Sequence, residues 1–263
     1  MSIITLLTDF GLKDGNAGVM KGVIWGITPD VHIADLSHHI SPQNVHEAAL
    51  VLRRTAPFFP DCTVHVVVVD PGVGTERRPI AAQLGTHYFV GPDNGVVTML
   101  LELIKAEGLP ISFIHLNKPQ YWLPEVSSVF HGRDIFAPAA AHLAAGVNLT
   151  ELGDPIDDPI RLSLPKPVST ENGYRGQVIH LDHFGNISTN IHHEHLTGKT
   201  VQNVHLCGVD TGAMVVTFGE RPNGELIALF GSTGNLIVSV VSGNAARRLD
   251  AQVGDRVEVF FNG

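Results

Sequence analysis

Four β-branched apolar residues, Val66-Val67-Val68-Val69, run directly into Asp70 and then into Pro71-Gly72-Val73-Gly74-Thr75-Glu76-Arg77-Arg78. Such an apolar run reads as a strand buried on both faces. It delivers a carboxylate to the carboxyl end of that strand, where open α/β sheets bind their ligands. Arg77 stands beyond a turn containing Pro and two Gly, so the chain can fold the cation back towards Asp70. Two roles are open for the pair: an ion pair that stabilises the turn, or a charged set for proton transfer. Phe130-His131-Gly132-Arg133-Asp134 adds an imidazole between a loop and a helix start, where a satisfied, partly buried histidine is the ordinary role. Together the segments supply an acid, a cation and an imidazole. Pro71–Gly74 is no phosphate loop, since the G-x-x-x-x-G-K-[ST] spacing and its lysine are missing.

Asp9 also follows a buried strand, in the turn Thr8-Asp9-Phe10-Gly11. A carboxylate there can accept two hydroxyl hydrogen bonds from a ribose diol, or it can cap the following helix. Further along, Leu181-Asp182-His183-Phe184-Gly185-Asn186-Ile187-Ser188 interrupts a strand with polar groups and a glycine. Asp182 and Asn186 could contact an ammonium and a base edge while Phe184 stacks; a bulged hairpin turn is the plainer reading. Gly231-Ser232-Thr233-Gly234 and Ser242-Gly243-Asn244-Ala245 are turn-like and could offer backbone groups to a ligand.

The elements that must carry these groups follow from periodicity. Ile3–Leu7 reads as a buried strand, and Val19, Val23 and Ile27, with Met20 and Ile24 beside them, predict the inward face of a helix. Thr28-Pro29 stops that helix. Val31–Ala34 is a short strand ending at Asp35. Ser41 and Pro42 read as the cap and first residue of a second helix, with Val45, Ala48, Ala49 and Leu52 as its stripe. With Val64–Val69 this gives a βαβαβ pattern whose strands end in Asp9, Asp35 and Asp70. A strand at His87–Val90, a helix at Val96–Ala106, a strand at Ile111–His115 and a helix at Asp134–Ala145 follow. After Pro165-Lys166-Pro167 the texture changes to short alternating runs: Gly176–Leu181, Val201–Leu206, Ala213–Phe218, Leu226–Phe230, Leu236–Val241 and Arg256–Phe261. The expectation is an α/β domain with a largely parallel sheet over 1–166 and a small antiparallel β-barrel over 167–263.

Composition excludes several classes. A formal net charge of -9 with no basic run longer than two residues argues against nucleic-acid binding. No stretch approaches about 18 continuous apolar residues and no charged, apolar leader opens the chain, so a soluble cytoplasmic protein without membrane contact is expected. Cys62 and Cys207 are read as buried small hydrophobes rather than a disulfide framework. Fifteen histidines invite a metal. None forms HExxH, and His38-His39 and His192-His193-Glu194-His195 would alternate faces on a strand or be solvated on a loop, so no metal site is assigned.

Thr8–Gly11, Asp70–Thr75, Phe130–Asp134, Asp182–Asn186, Ser232 and Asn244-Ala245 occur in one order along nearly the whole length. In these motifs the chain resembles the S-adenosylmethionine hydroxide adenosyltransferases, relatives of the S-adenosylmethionine-dependent fluorinase and chlorinase. The resemblance implies hydrolysis of S-adenosyl-L-methionine to adenosine and L-methionine, with no cofactor. It also implies a homotrimer holding ligand between one subunit's first domain and a neighbour's second. It maps the catalytic set onto Asp70, Arg77 and His131 and the ribose carboxylate onto Asp9. Residues near the methionine end map onto Asp14, Asn16, Asp182 and Ser232, and adenine contacts onto Asn186 and the backbone at Ala245. Two departures stand out: the halogenases carry a tyrosine or another halide-suited residue where Asp70 stands, and a substrate-enclosing tryptophan of the fluorinase is Gln43 here. Alternative readings are a metal-dependent hydrolase using the histidines, or a non-catalytic adenosine or S-adenosylmethionine sensor.

Overall fold

The computed structural model describes residues 2–261, and the chain divides into two compact units, Met1–Leu162 and Ser163–Gly263. The first contains β1 (Ile3–Thr8), α1 (Asn16–Ile27), β2 (His32–Ser37), α2 (Val45–Thr55), β3 (Val64–Val68), β4 (Pro79–Leu84), β5 (His87–Pro92), α3 (Thr98–Ala106), β6 (Ile111–His115), α4 (Ala137–Ala144) and β7 (Asp154–Ile156). Its sheet runs β2-β1-β3-β5-β4-β6-β7. The first four of these are parallel, while β4, β6 and β7 extend the sheet antiparallel.

Alternation along the strands divides the core in two. Ile4, Leu6, Val66 and Val68 pack on one face with Met20 and Ile24 of α1 and the alanines of α4. Leu7, Val67 and Val69 pack on the other with Leu52 of α2 and Leu100, Leu101 and Ile104 of α3. A strand buried on both faces carries polar groups only where they are paired, as His65 is with Thr5 at 2.8 Å, so the carboxylates appear at its end. From β1 the chain crosses to β2 on one side, and β3 lies on the other. That reversal opens a crevice beyond the carboxyl ends of β1 and β3. The Thr8–Val68 pairing sets Asp9 and Asp70 just past it.

Several local expectations are corrected. On α1 the buried residues are Ala17, Met20 and Ile24, spaced i, i+3, i+7, whereas Val19 is 43% exposed. Asn44, not Ser41, caps α2, accepting the Glu47 amide, and Ser41 donates its own amide to the Glu47 carboxylate. β2 runs on through Asp35 to Ser37, so Asp35 lies inside a strand and bonds Lys21 at 2.6 Å. The helix expected from Asp134 is a wide turn, Gly132–Phe136, that only then becomes α4. Both cysteines are exposed and free rather than buried, and the partial desolvation of the Cys207 thiol together with Asp255 pushes it up to about 11.

The second unit holds β8 (Val168–Thr170), β9 (Gly173–Leu181), β10 (Ile187–His192), β11 (Val201–Leu206), β12 (Val209–Asp210), β13 (Leu226–Phe230), β14 (Asn235–Val240), α5 (Ala245–Leu249) and β15 (Arg256–Phe261). Its antiparallel sheet runs β12-β11-β15-β9-β10-β14-β13, with β8 beside β9, and curls as a half-barrel around Val178, Ile187, Ile191, Val204, Leu236, Val238, Val257 and Val259. Ala213–Phe218, expected as a strand, is irregular: Val215 alone of it is buried, and Val216 is exposed.

Candidate active site

Beyond β3, two overlapping turns fold the chain back. The Val73 amide donates to the Asp70 carbonyl, and the Thr75 hydroxyl donates to the Gly72 carbonyl at 2.7 Å. Gly74, at φ +77°, packs so closely on the Ser128 carbonyl that a Cβ has no room. The result returns Arg77 to Asp70 in a two-point ion pair, with Nε 3.1 Å from Oδ1 and Nη2 2.5 Å from Oδ2. Both side chains are nearly closed off, at 6% and 5% exposure. The guanidinium lies 5.3 Å from the centre of the Phe136 ring. On the next turn, Asn94 donates to the Val69 carbonyl at 2.9 Å and fixes the end of β3.

Arg77 Nη2 also lies 3.0 Å from Nδ1 of His131. Arginine only donates, so Nδ1 accepts and the proton of the neutral ring sits on Nε2. His131 enters the wide turn whose Ala137 amide reaches back to the Gly132 carbonyl, five residues earlier. Such turns recur at functional sites because they re-aim a side chain without ending the helix. Asp134, fully buried, holds the approach by accepting the Ser127 amide at 2.8 Å and the Arg133 guanidinium. The three predicted residues therefore form one hydrogen-bonded set, Asp70–Arg77–His131.

Burial pushes the Asp70 carboxyl above the ordinary carboxylate value, against the pull of Arg77. Burial, followed by the Arg77 charge, holds the His131 imidazole below its ordinary value, against Asp70 and Asp134. Near neutrality the set is thus a carboxylate of heightened basicity, a fixed cation and a neutral imidazole. Arg77 Nη1 is buried and donates to no protein group among the described residues. It remains a donor for a ligand oxygen.

Asp9 accepts the Gln43 amide at 2.8 Å through one oxygen. Gln43 takes a left-handed backbone (φ 63°) to deliver it, so position 43 acts here through its main chain. Phe10 meets Phe130 edge-on at 5.7 Å, which joins the Asp9 turn to the segment carrying His131. Asp14 is exposed, and Asn16 is the first residue of α1. Behind Asp9 lies a polar chain, buried at Thr8 and His38 and reaching the surface at Asp35, that the sequence reading missed. Thr8 Oγ1 is 2.9 Å from His38 Nδ1, His38 Nε2 is 3.1 Å from Asp35, and the His38 carbonyl accepts the Gly11 amide. No spacing in the sequence distinguishes His38 from its exposed neighbour His39.

In the second unit, Asp182 is fully occupied with its own turn. It accepts the amides of Phe184 and Asn186 and the Asn186 side-chain Nδ2 at 2.8 Å. Gly185, at φ +83°, leaves no room for a Cβ against Asn244, and its carbonyl accepts the Ala246 amide at 2.9 Å. Asp182, Phe184, Asn186 and Ala245 are thereby gathered at one end of β10 and β14, with Phe184 73% exposed at the tip. Ser232 is not with them. Because Ile187 pairs with Val238 and His192 with Asn235, its turn lies at the other end of β10, roughly 16 Å away along the strand at about 3.3 Å per residue. That same end brings His192, His193 and Glu194 together. One helical turn, His193–Leu196, replaces the loop expected there.

Comparison with known proteins matches both units. The model of the SAM hydroxide adenosyltransferase N-terminal domain matches residues 4–153, and that of the C-terminal domain matches residues 176–258. The (R)-S-adenosyl-L-methionine hydrolase of Salinispora tropica is 37% identical over 258 residues, 97% of each chain. A fluorinase from an Actinoplanes species is 30% identical over 217 residues, 72% of each chain. A crystal structure of a conserved protein from Thermotoga maritima superposes with a TM-score of 0.89 at 37% identity, covering 98% of this chain and 99% of that one.

The charges around His131 give a test of sign. Asp70→Asn removes the attraction that favours the imidazolium, so the His131 titration should move further down. Arg77→Gln removes the repulsion and should move it up. The two shifts, read by NMR of the ring protons, must oppose each other; shifts in one direction contradict the bridging position of Arg77.

Proposed function

We infer that this chain, which belongs to the S-adenosylmethionine hydroxide adenosyltransferase family, is an (R)-S-adenosyl-L-methionine hydrolase that forms adenosine and L-methionine. The observation that carries the mechanism is the buried Asp70 carboxylate, paired with Arg77 and raised in basicity at the carboxyl edge of the parallel strands. The sulfonium leaves C5′ as a neutral thioether, so the departing group needs no acid. What the reaction needs is an oriented, partly desolvated oxygen in line with the C–S bond.

Water attacks C5′; the C5′–S electron pair passes to sulfur, and the water proton moves to Asp70 as the new C–O bond forms. Ionising water beforehand is costly, since its pKa is about 15.7. Transfer therefore accompanies attack, and Asp70 releases the proton to solvent afterwards. Arg77 and His131 fix the carboxylate and, through Nη1 and Nε2, can donate to the attacking oxygen. The substrate's own positive charge is cancelled in the step, which favours a dry, low-dielectric site. A halide would have to shed its water beside the Asp70 carboxylate and be repelled by it, which disfavours the halogenase reaction.

The proposed binding set is Asp9 on the ribose diol, Asn186 and the Ala245 backbone on adenine, Phe184 stacking, and Asp14 and Asn16 towards methionine; Ser232, at the far end of β10, drops out of the set. Asp182 acts through the turn it holds. The enzyme is proposed to work in the cytoplasm as a homotrimer in which neighbouring subunits complete each site. Supporting this, Val129 beside the His131 segment is 75% exposed, and so is Phe184 beside Asn186, at 73%. Apolar side chains next to polar ligand groups are expected where a partner covers them. Two exposed, unpaired cysteines accord with a reducing compartment.

Reaction in oxygen-18 water tests the function. The heavy oxygen should appear in the 5′-hydroxyl of adenosine and leave methionine unlabelled. Methylthioadenosine, free adenine or, in concentrated chloride, a halogenated adenosine as main product would overturn the reading. Light scattering should give three times the chain mass, and an active monomer at assay concentration would remove the shared-site assembly.

A further inference from the structure

At the far end of β10, two acceptors face one another. His192 Nε2 lies 3.1 Å from the Thr233 carbonyl, which can only accept, so Nε2 carries the proton. In the neutral ring Nδ1 is then a bare lone pair. It is buried and makes no hydrogen bond among the described residues. Yet it lies 3.5 Å from the Glu194 carboxylate. A lone pair and a carboxylate so placed repel each other unless a cation stands between them. The His193 ring lies beside that of His192, tilted by 48° with centroids 4.2 Å apart, and one ligand atom from each of the three side chains falls within 4.8 Å of the others.

We propose that His192 Nδ1, His193 and Glu194 form a binding site for a first-row transition-metal ion of the Zn2+ class, with water completing the coordination. Donors at about 2.0–2.2 Å from a tetrahedral ion stand roughly 3.4 Å from one another, which matches the separation of Nδ1 from Glu194. Two imidazoles select such a metal over Mg2+ or Ca2+, which take oxygen ligands. The Nε2–H donated to a backbone carbonyl is the outer hydrogen bond by which ligating histidines are held in the right tautomer.

The local backbone serves this arrangement. His193 donates its amide to the Gly234 carbonyl at 2.8 Å, and Gly234, at φ +79°, leaves no room for a Cβ beside either ring. These two contacts, His192 to the Thr233 carbonyl and His193 to the Gly234 carbonyl, tie the end of β10 to the turn between β13 and β14. The cluster belongs to the second unit, whereas Asp70, Arg77 and His131 belong to the first.

The test is a calorimetric titration of Zn2+ into chelator-treated full-length protein, set against the double variant His193→Asn/Glu194→Gln. Both positions are exposed, so folding of the variant is checked by its circular dichroism. Wild type should bind one ion per chain, and the double variant should lose at least about tenfold in affinity, since even outer-sphere losses cost about 10–100-fold. Co2+ should give the intense visible absorption of four-coordination in wild type alone. Equal affinity and stoichiometry in the two proteins would put zinc on other histidines and overturn the site. So would a nitrogen NMR spectrum showing Nδ1 of His192 still protonated in zinc-saturated protein at pH 8, which would make the intervening cation a proton.

Discussion

The ion pair between Asp70 and Arg77 is the constraint on which the rest of the site depends. Each charge is almost wholly removed from water, and neither could be kept there alone: deleting one partner of a buried pair costs about 3–5 kcal/mol. The pairing is two-pointed, which fixes the carboxylate in orientation as well as charge. Pairing by itself would make Asp70 a weaker base. Burial opposes that and prevails, so the carboxylate is both held in place and receptive to a proton. Burial, followed by the charge of the same guanidinium, keeps His131 neutral, and the guanidinium sets its tautomer.

Holding that pair explains much of the surrounding architecture. β3 must be dry on both faces until Val69, because its neighbours on either side of the sheet are core. Asn94 pins its end, Gly74 lets the loop lie against the Ser128 backbone, and Asp134 closes the segment that presents His131. The Thr8–His38–Asp35 chain performs the matching task under Asp9. In the second unit Asp182 spends its acceptors on a turn, and that turn presents Asn186 and Phe184. Rigid groups on loops held by buried polar contacts are what orientation-dependent displacement requires.

How much was legible in the sequence follows from the range of the signal. Val66–Asp70 could be read directly, because burial on both faces leaves a run that no solvated segment shows. The face of α1 could be read in part: Met20, Val23, Ile24 and Ile27 pack on the core, whereas Val19 fits the same stripe and is exposed, and Ala17 is buried instead. β4 was missed because Ala81 and Ala82 carry little strand preference, and its place in mid-sheet comes from pairing with β5 and β6. β10, rich in Ser, Thr and Asn, was hidden in the same way. Of the site residues, Asp70, Arg77 and His131 lay in recognisable motifs. His38 and Asp134 act through contacts 30 and seven residues away, which no local pattern encodes. His192, His193 and Glu194 come together because a single helical turn follows β10 where a strand or a loop was expected.

The account stands most directly on Asp70 accepting a proton during attack rather than merely holding Arg77. Asp70→Asn keeps the shape and one acceptor oxygen while removing the charge and the basic second oxygen. Measured at saturating S-adenosyl-L-methionine, with the variant shown to be folded, kcat should fall by about 10²–10⁴, the range lost with a general base. Substrate affinity should change by no more than about threefold, because the interaction belongs to the transition state. Undiminished kcat, or a loss confined to substrate affinity, would contradict the account and leave Asp70 as the structural partner of Arg77.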